Sequence, residues 1–528
     1  MTDVLLADVA ATSAGLAATR SRLAKRALLV DLLRRTAPDE VPVVARYLAG
    51  ELRQRRTGLG WRSLQTLPDP AAAPTLDVLA VDAAFKRMSL LSGPGSAGAR
   101  AAEAAALFGA ATAEEQRFLG GLVAGDVRQG ALDALLLDAV AEAAGVPVAS
   151  VRRAAMLAGS SEPVAEVALG AGSPEAALAA LDGFGLTVGR PVRPMLAAPA
   201  PDVVAAVAGF RGRTLVVDAK LDGIRVQMHR DGDDVRVFTR SLDDITARVP
   251  ELVAAVRALP VRSAVLDGEA LAVGADGRAR PFQETAARSA TRDAELAAVT
   301  ELRPFFFDVL HLDGRDLLDA PLSERLAALD AVAPGHTVER VVTDDAVVAQ
   351  AAFARWVAAG QEGVLVKDAT APYEAGRRGG AWVKVKPRHT LDLVVLAVER
   401  GSGRRAGSLS NIHLGARDGD GGFVMLGKTF KGMTDEMLAW QTQRFRELEV
   451  ADDGWTVTLR PEQVVEIAFD GVQRSPRYPG GVALRFARVL RYRDDKPAAE
   501  ADTIDAVQAL GVQEPGAVHE PGAADPVD

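Results

Sequence analysis

A primary amine attacks an electrophile only once it has lost its proton, and Leu215–Arg225, read Leu-Val-Val-Asp-Ala-Lys-Leu-Asp-Gly-Ile-Arg, holds one where that can be arranged. The β-branched pair Val216–Val217 leads into Lys220, Asp222-Gly223 marks a turn, and Ile224–Met228 resumes strand-like alternation. Arg225 and Gln227 then share a face. Of 61 basic residues only nine are Lys, and seven of these (Lys220, Lys367, Lys384, Lys386, Lys428, Lys431 and Lys496) fall between 220 and 496. Lys gives up its proton when its surroundings demand it, whereas Arg effectively does not. Each acid and base nearby has an ordinary structural reading when taken singly. Together, Lys220, the strand pair Lys384 and Lys386, Arg225, Arg240, Arg378, the strand-end acids Glu269 and Glu362 and the aromatic Phe307 describe a phosphate-handling cleft. A Gly-x-x-x-x-Gly-Lys-Ser/Thr loop is missing, which disfavours a Walker-type NTPase.

The elements that must position these residues follow from periodicity. Residues 1–188 read as helices: Leu28, Leu29, Leu32 and Leu33 recur at helical spacing, Leu132–Val140 behaves likewise, and Ala-rich pieces such as Ala101–Leu107 favour helix. Leu48-Ala-Gly-Glu-Leu-Arg-Gln54 returns as Val123-Ala-Gly-Asp-Val-Arg-Gln129, which predicts two related helical lobes. Each Arg-Gln pair would lie near a helix end and face phosphates, unless the two stretches are only similar helix termini. Gly183–Pro194 breaks the pattern. From Thr214 to Pro387 strands dominate: a hairpin turning at Arg230–Asp233, a helix over Asp244–Leu259, strands Ser263–Val273 and Pro304–Leu312, a helix Ala346–Ala359, and strands Gly363–Lys367 and Trp382–Lys386. On the last of these, Trp382, Lys384 and Lys386 share a face by period two. Short strands resume beyond Pro387, as expected of a small barrel.

Composition sets the outer bounds. A chain of 528 residues divides into about three domains. With 48% hydrophobic and 25% charged residues, and with no run near the ~18 apolar residues of a membrane span, the expectation is an intracellular globular protein. Zero Cys excludes disulfides, thiolate catalysis and cysteine zinc sites, and six scattered His disfavour a His-based metal site. The net charge of −9 argues at first against a polyanionic partner. Seven of the negatives follow Lys496, in a stretch without Lys or Arg, so the body is close to neutral and has room for basic faces. That acidic tail, rich in Pro, Gly and Ala, is expected to be disordered.

Asp218-x-Lys220-x-Asp222-Gly-x-Arg225, Thr239-Arg240-Ser241, Asp267-Gly-Glu269, Phe307-Asp308, Glu362-Gly363 and Trp382-x-Lys384-x-Lys386 match, in order, the motifs of covalent nucleotidyltransferases. The run Leu484–Lys496, with Arg491-x-Arg493-x-Asp495-Lys496, matches their last motif. More narrowly the chain resembles the bacterial ATP-dependent DNA ligases that carry an N-terminal helical DNA-binding domain. The resemblance spans nearly everything but the tail. It implies a multidomain chain: an all-α DNA-binding domain (1–188), an α+β adenylation domain (189–388), an OB-fold β-barrel (389–498) and a disordered acidic tail (499–528).

The resemblance also implies the chemistry. Lys220 attacks the α-phosphate of ATP to form a lysyl-adenylate, AMP passes to the 5′-phosphate of a nick, and the 3′-hydroxyl displaces it. A free lysine has a pKa of ~10.4, so neighbouring cations, Lys384, Lys386 and Mg²⁺ (or Mn²⁺ in its place), are expected to suppress the ammonium. Glu269 and Glu362 would hold the metal, with Glu269 also near the ribose. Phe307 would stack on adenine and Asp218 read its amino edge, although the family usually has Glu at that position. Arg225, Arg240, Arg378 and Lys384 would hold phosphate oxygens, and Arg493 and Lys496 would swing in from the barrel over the leaving pyrophosphate. The expected partner is nicked duplex DNA, encircled by a monomer in the bacterial cytoplasm at the nucleoid, in replication, repair and recombination. The rival readings are an RNA ligase or GTP-using capping enzyme, disfavoured by the helical domain together with the final Arg-x-Asp-Lys; an NAD-dependent ligase, which would normally bring a Cys-bound zinc; and a DNA clamp with a dead pocket, against which the complete set of chemical residues argues.

Overall fold

The computed structural model describes residues 4–54, 56–130, 133–274, 279–290, 301–374, 378–402 and 405–510, with the side chains of 61, 62, 378 and 379 excepted. Between Leu6 and Asp182 the described residues form ten α-helices around one apolar core, with Leu29, Leu32 and Leu33 buried and Leu28 turned outward. The two echoed stretches are both helix ends. Helices Val41–Leu48 and Ala113–Ala124 run into Gly50 (φ +81°) and Gly125 (φ +67°), the left-handed stop that Gly adopts without a Cβ clash. The loops that follow pack together: Gln129 donates 2.5 Å to the Leu48 carbonyl, while Gln54 donates to Asp82. Both glutamines are thus spent inside the domain, and Arg53 lies between Asp82 and Glu162. Of the two expected Arg-Gln pairs, only Arg128 turns its side chain outward, on a positive-φ backbone (φ +52°).

Among the described residues ten strands build the next domain: β1 (Leu196–Pro199), β2 (Leu215–Lys220), β3 (Ile224–Asp231), β4 (Asp234–Thr239), β5 (Ser263–Val273), β6 (Glu301–Leu312), β7 (Arg315–Asp316), β8 (Arg340–Thr343), β9 (Gly363–Asp368) and β10 (Arg378–Val385). They form two five-stranded sheets, ordered β1-β10-β9-β2-β8 and β4-β3-β5-β6-β7. The helix expected over Asp244–Leu259 begins later, at Pro250–Arg257. Asp244 instead pairs with Phe238 and accepts from Thr246, holding the chain in a turn until Pro250 opens the helix at its first position.

Register explains which side chains meet. In the first sheet Lys220 lies opposite Gly363, Asp218 opposite Leu365 and Leu365 opposite Lys384, while Lys367 lies opposite Trp382. Paired residues share a face and alternate residues return to it, so Asp218, Lys220, Lys367, Trp382 and Lys384 all project from one side. The other side carries Val217, Ala219, Val364, Val366 and Val385, packed on helices Val203–Ala208 and Ala346–Ala358. Deep on the polar side, Lys367 Nζ lies 2.5 Å from Asp218 Oδ2, both side chains essentially inaccessible. The ammonium is also 4.7 Å from the Phe307 ring centre and 4.4 Å from that of Trp382.

The segment joining the helical domain to β1 is stitched to the second sheet. Gln227 takes Val192 N at 2.8 Å and donates to the Val192 carbonyl, while His229 Nδ1 accepts from Gly189 N at 3.0 Å. Arg193 pairs with Asp133, and Arg153 grips both oxygens of Asp319 at 2.7 and 2.8 Å, fastening the helical domain from its own side.

The third domain contains β11 (His389–Arg400), β12 (Leu409–Arg417), β13 (Phe423–Thr429), β14 (Glu449–Asp452), β15 (Thr456–Leu459), β16 (Val464–Phe469), β17 (Gly471–Arg474), β18 (Val482–Arg485) and β19 (Arg488–Arg493). The long β11 pairs with β16 through its first half and with β12 and β15 through its second, wrapping the sheet around one core that helix Asp435–Glu447 helps to close. Residues 499–510 of the tail expected to be disordered are folded. Val507 is buried against this core and Ala501 against Val394 and Val464, Thr503 caps helix Ile504–Ala509, and the Asp502 carboxylate accepts from Asp392 N at 2.7 Å. Residues 511–528 of that tail lie outside the described residues. Among the described residues no helix is long and apolar enough to cross a membrane.

Two outcomes are expected. Burial pushes His229 down to about 3, so between pH 6.5 and 3 the unfolded chain binds a proton that the folded chain refuses. Stability contributed by neutral His229 is therefore complete above pH 6.5 and falls by about 1.4 kcal/mol per pH unit below it. Urea melts from pH 7 to 5 should show a slope that His229→Gln flattens. Removing one partner of a buried pair costs about 3–5 kcal/mol, so Asp218→Asn should lower stability by that amount with no nucleotide present. Asp218→Leu combined with Lys367→Met should recover most of the loss.

Candidate active site

The polar side of the first sheet faces the second, and the expected site residues are distributed across the gap. Lys220, at the end of β2, forms an ion pair with Glu362, whose backbone N–H bonds to the Lys220 carbonyl at 2.9 Å just before β9 begins. Lys386, directly after β10, pairs with the other Glu362 oxygen. Between them Gly363 (φ +140°) lies so close to β10 that a Cβ there would meet the Val385 carbonyl oxygen at 2.1 Å. No side chain fits between the strand of Lys220 and that of Lys384 and Lys386.

The electrostatics differ from the expectation for a ready nucleophile. Burial acts to depress Lys220, but Glu362, Glu269 and Asp222 outweigh it and raise its pKa. The expected suppression of the ammonium by Lys384, Lys386 and a bound metal is not seen without nucleotide, where the three carboxylates favour the charged form. The cation that is pushed down is Lys384, by burial and then by Lys386 and Lys220. Burial raises Glu362 less than Lys220 and Lys386 lower it, so it stays an anion. Glu269 behaves oppositely. Burial pushes its carboxyl up to about 7 against the pull of Lys220 and Arg225, and among the described residues it accepts no side-chain hydrogen bond. The Lys220 side chain as a whole is 21% exposed.

Arg225 does not offer a free fork to phosphate. It is bidentate to Asp267 at 3.0 and 2.6 Å, donates 2.6 Å to the Met195 carbonyl, and lies 5.3 Å from the Phe307 ring centre and 5.8 Å from that of Trp382. Tyr373 completes this network: its hydroxyl donates to Asp267 at 2.7 Å and accepts from Met195 N at 3.0 Å. Arg225, expected to hold phosphate, is here engaged in the pocket wall. Asp218, expected to read adenine, is likewise engaged with another side chain. Sealed against Lys367, it has no exposed edge with which to read a base. Phe307 lies edge-on to Trp382, 5.9 Å between centres, and its neighbour Asp308 is gripped through both oxygens by the fully buried Arg325.

Arg240 follows β4 and opens onto a groove of about 1130 Å³ between the domains, whose walls include Arg46, Gly50, Gly125, Arg193 and Ser241. Exposed, and with no carboxylate partner among the described residues, it is placed to meet an anion. The side chain of Arg378, which opens β10, lies outside the described residues. Arg493 and Lys496 are turned away from the pocket: both hold Asp392 on β11, at 3.0 and 2.8 Å. The barrel instead presents Arg485, which reaches both oxygens of Asp222 at 2.7 and 3.2 Å, and Asp470, 3.2 Å from Lys386.

Sequence reasoning passed over Lys367, Tyr373, Arg325, Arg485 and Asp470. Lys367 had a signal, since it is one of nine lysines and two residues beyond Leu365 on the strand facing Asp218. The others meet their partners across 17 to 263 residues, and no local pattern marks them.

The donor set also bears on a metal. Among the described residues no group of three or more His, Asp or Glu converges. Glu269 and Glu362, one raised by burial and one already serving two cations, fit a hard divalent ion that takes its remaining oxygens from phosphate and water.

Known proteins resemble this chain along nearly its whole length. Residues 194–386 match the family description "ATP dependent DNA ligase domain", and residues 405–496 match "ATP dependent DNA ligase C terminal region", which makes the third domain OB-type. A "Probable DNA ligase" of Beutenbergia cavernae is 70% identical over 509 residues, covering 96% of this chain and 99% of the relative. Another from Nocardioides sp. is 63% identical, covering 96% and 99%. The solved structure "Pmar-Lig_PreS3" shares the fold over 92% of this chain and 99% of its own, with a TM-score of 0.58 at 19% identity. With a lysine and two acids set between its sheets and relatives this similar along almost its whole length, the chain belongs to the ATP-dependent DNA ligases.

Proposed function

We propose that this ligase seals 5′-phosphate/3′-hydroxyl nicks in duplex DNA through an adenylate on Lys220. The observation that carries the assignment is the position of Lys220 at the strand end, paired with Glu362 and with Lys384, Lys386 and Glu269 close enough to act on its charge cluster. In the first step Nζ gives up a proton and bonds to the α-phosphorus of ATP. The bond from that phosphorus to the bridging oxygen breaks, and pyrophosphate leaves with its electron pair. AMP then passes to the 5′-phosphate of the nick, and the 3′-hydroxyl displaces it.

The residues divide the work. Lys384, whose charge is already disfavoured and which has no carboxylate partner among the described residues, gains most from a phosphate oxygen. Lys386 can turn to phosphate only by leaving Glu362. Phe307 would stack on adenine, which requires uncovering a ring now buried beside Arg225, Lys367 and Trp382. Glu269 and Glu362 would hold Mg²⁺, or Mn²⁺ in its place, and a bound divalent ion supplies the positive charge that draws these carboxylates off the amine. Arg493 and Lys496 must release Asp392 before they can meet pyrophosphate, so the third domain must move between steps.

The groove edged by Arg240 and the paired helix-end loops is the proposed path for the nicked strand, and phosphate contacts of this kind respond to salt rather than to base sequence. Action as a monomer around the duplex, in the cytoplasm, fits three domains clasped to one another along one chain.

Incubation with α-labelled ATP and a divalent metal should give an acid-stable labelled protein, and Lys220→Ala should give none. Absence of label on the wild type would refute the assignment. Arg240→Ala should weaken nick binding uniformly across sequences and reduce the slope of log affinity against log salt by about 0.9, as for one lost phosphate contact.

A further inference from the structure

The third domain meets the pocket through an acid and a base on one corner. Asp470 lies between β16 and β17, and its backbone N–H bonds to the carbonyl of Arg485 at 2.9 Å, so the two residues move together. Arg485 takes Asp222, two residues beyond the nucleophile. Asp470 places Oδ2 3.2 Å from Lys386 Nζ and Oδ1 3.6 Å from Arg488. Phe486, held at φ +56° and more than half exposed, lies with its ring centre 5.4 Å from the same ammonium. Lys386 is therefore enclosed by Glu362 from its own domain and by Asp470 and Phe486 from the next.

We propose that Asp470 is a positioning residue that withholds Lys386 from ATP while this corner is docked, and so divides the enzyme's effort between self-adenylation and nick sealing. The inference rests on the reading of Lys220 and Lys386 given above. The charge argument is direct. A triphosphate entering the pocket competes with two carboxylates for Lys386, and one of those two is carried by a domain that can leave. Asp470 and Arg485 form complementary pairs with the pocket in the same arrangement in which Arg493 and Lys496 are occupied by Asp392. Loss of the Asp470 charge frees Lys386 for nucleotide and loosens the docked arrangement, so the two half-reactions should shift in opposite directions.

The test measures single-turnover self-adenylation against ATP concentration, and sealing of a chemically adenylated nick, for the wild type, Asp470→Asn and Asp470→Glu. Both pairs of Asp470 are partly exposed, which limits the effect to about two- to fivefold. Asp470→Asn should lower the ATP concentration for half-maximal adenylation by that factor and slow sealing of the adenylated nick by a similar one, while Asp470→Glu returns both toward wild type. A misfolded variant would lose both activities together. Unchanged values, or losses in both assays, overturn the inference while wild-type labelling leaves the ligase assignment standing. A wild type that takes no label overturns both.

Discussion

One carboxylate serving two lysines is the constraint on which the rest of the structure turns. Glu362 holds Lys220 and Lys386 at once, and its backbone N–H is bonded to the carbonyl of the residue whose side chain it pairs. This cluster decides the resting charge state: burial pulls Lys220 toward the neutral amine, and the acids around it reverse that pull. Without nucleotide, the acids around Lys220 favour its ammonium.

The two sheets make the cluster possible by opposite means. The first brings charged residues together by register alone, with alternate residues of three adjacent strands returning to one face. The second supplies fixed walls, in which Asp267, Asp308 and Tyr373 hold the arginines and aromatics still. Buried polar groups of this kind must be fully paired or they cost more than an apolar core. The pairs found here are bidentate (Arg225 with Asp267, Arg325 with Asp308), so each guanidinium is fixed in direction as well as position.

Much of this was legible in the chain. The strand carrying Lys220, the hairpin after it, the face shared by Trp382 and Lys384, and the helical character of the first third all follow from period and turn chemistry. The boundaries that failed did so for local reasons: Pro250 postponed a helix that amphipathic spacing began six residues early, and two apolar residues, Ala501 and Val507, kept an acidic segment packed. The site was legible as a set of residues but not as a set of partners. Motif order could name Asp218 and Arg225, yet whether each turns to a ligand or to another side chain depends on Lys367 and Asp267, which arrive from strands 149 and 42 residues away. Nor could spacing reveal which face of the third domain is turned toward the pocket.

Gly363 has a consequence of another kind. With β10 pressed against it, the gauge between the nucleophile's strand and the phosphate-binding strand is set by contact between main chains, and no rotamer can adjust it. That wall of the cleft is inelastic. Accommodation of a bulkier or differently shaped nucleotide has to come from the opposite side, where Phe307 and Glu269 line the gap, or from the domain that docks across its mouth. Variation in substrate among chains built on this plan should therefore be sought in those side chains, with the glycine side left constant.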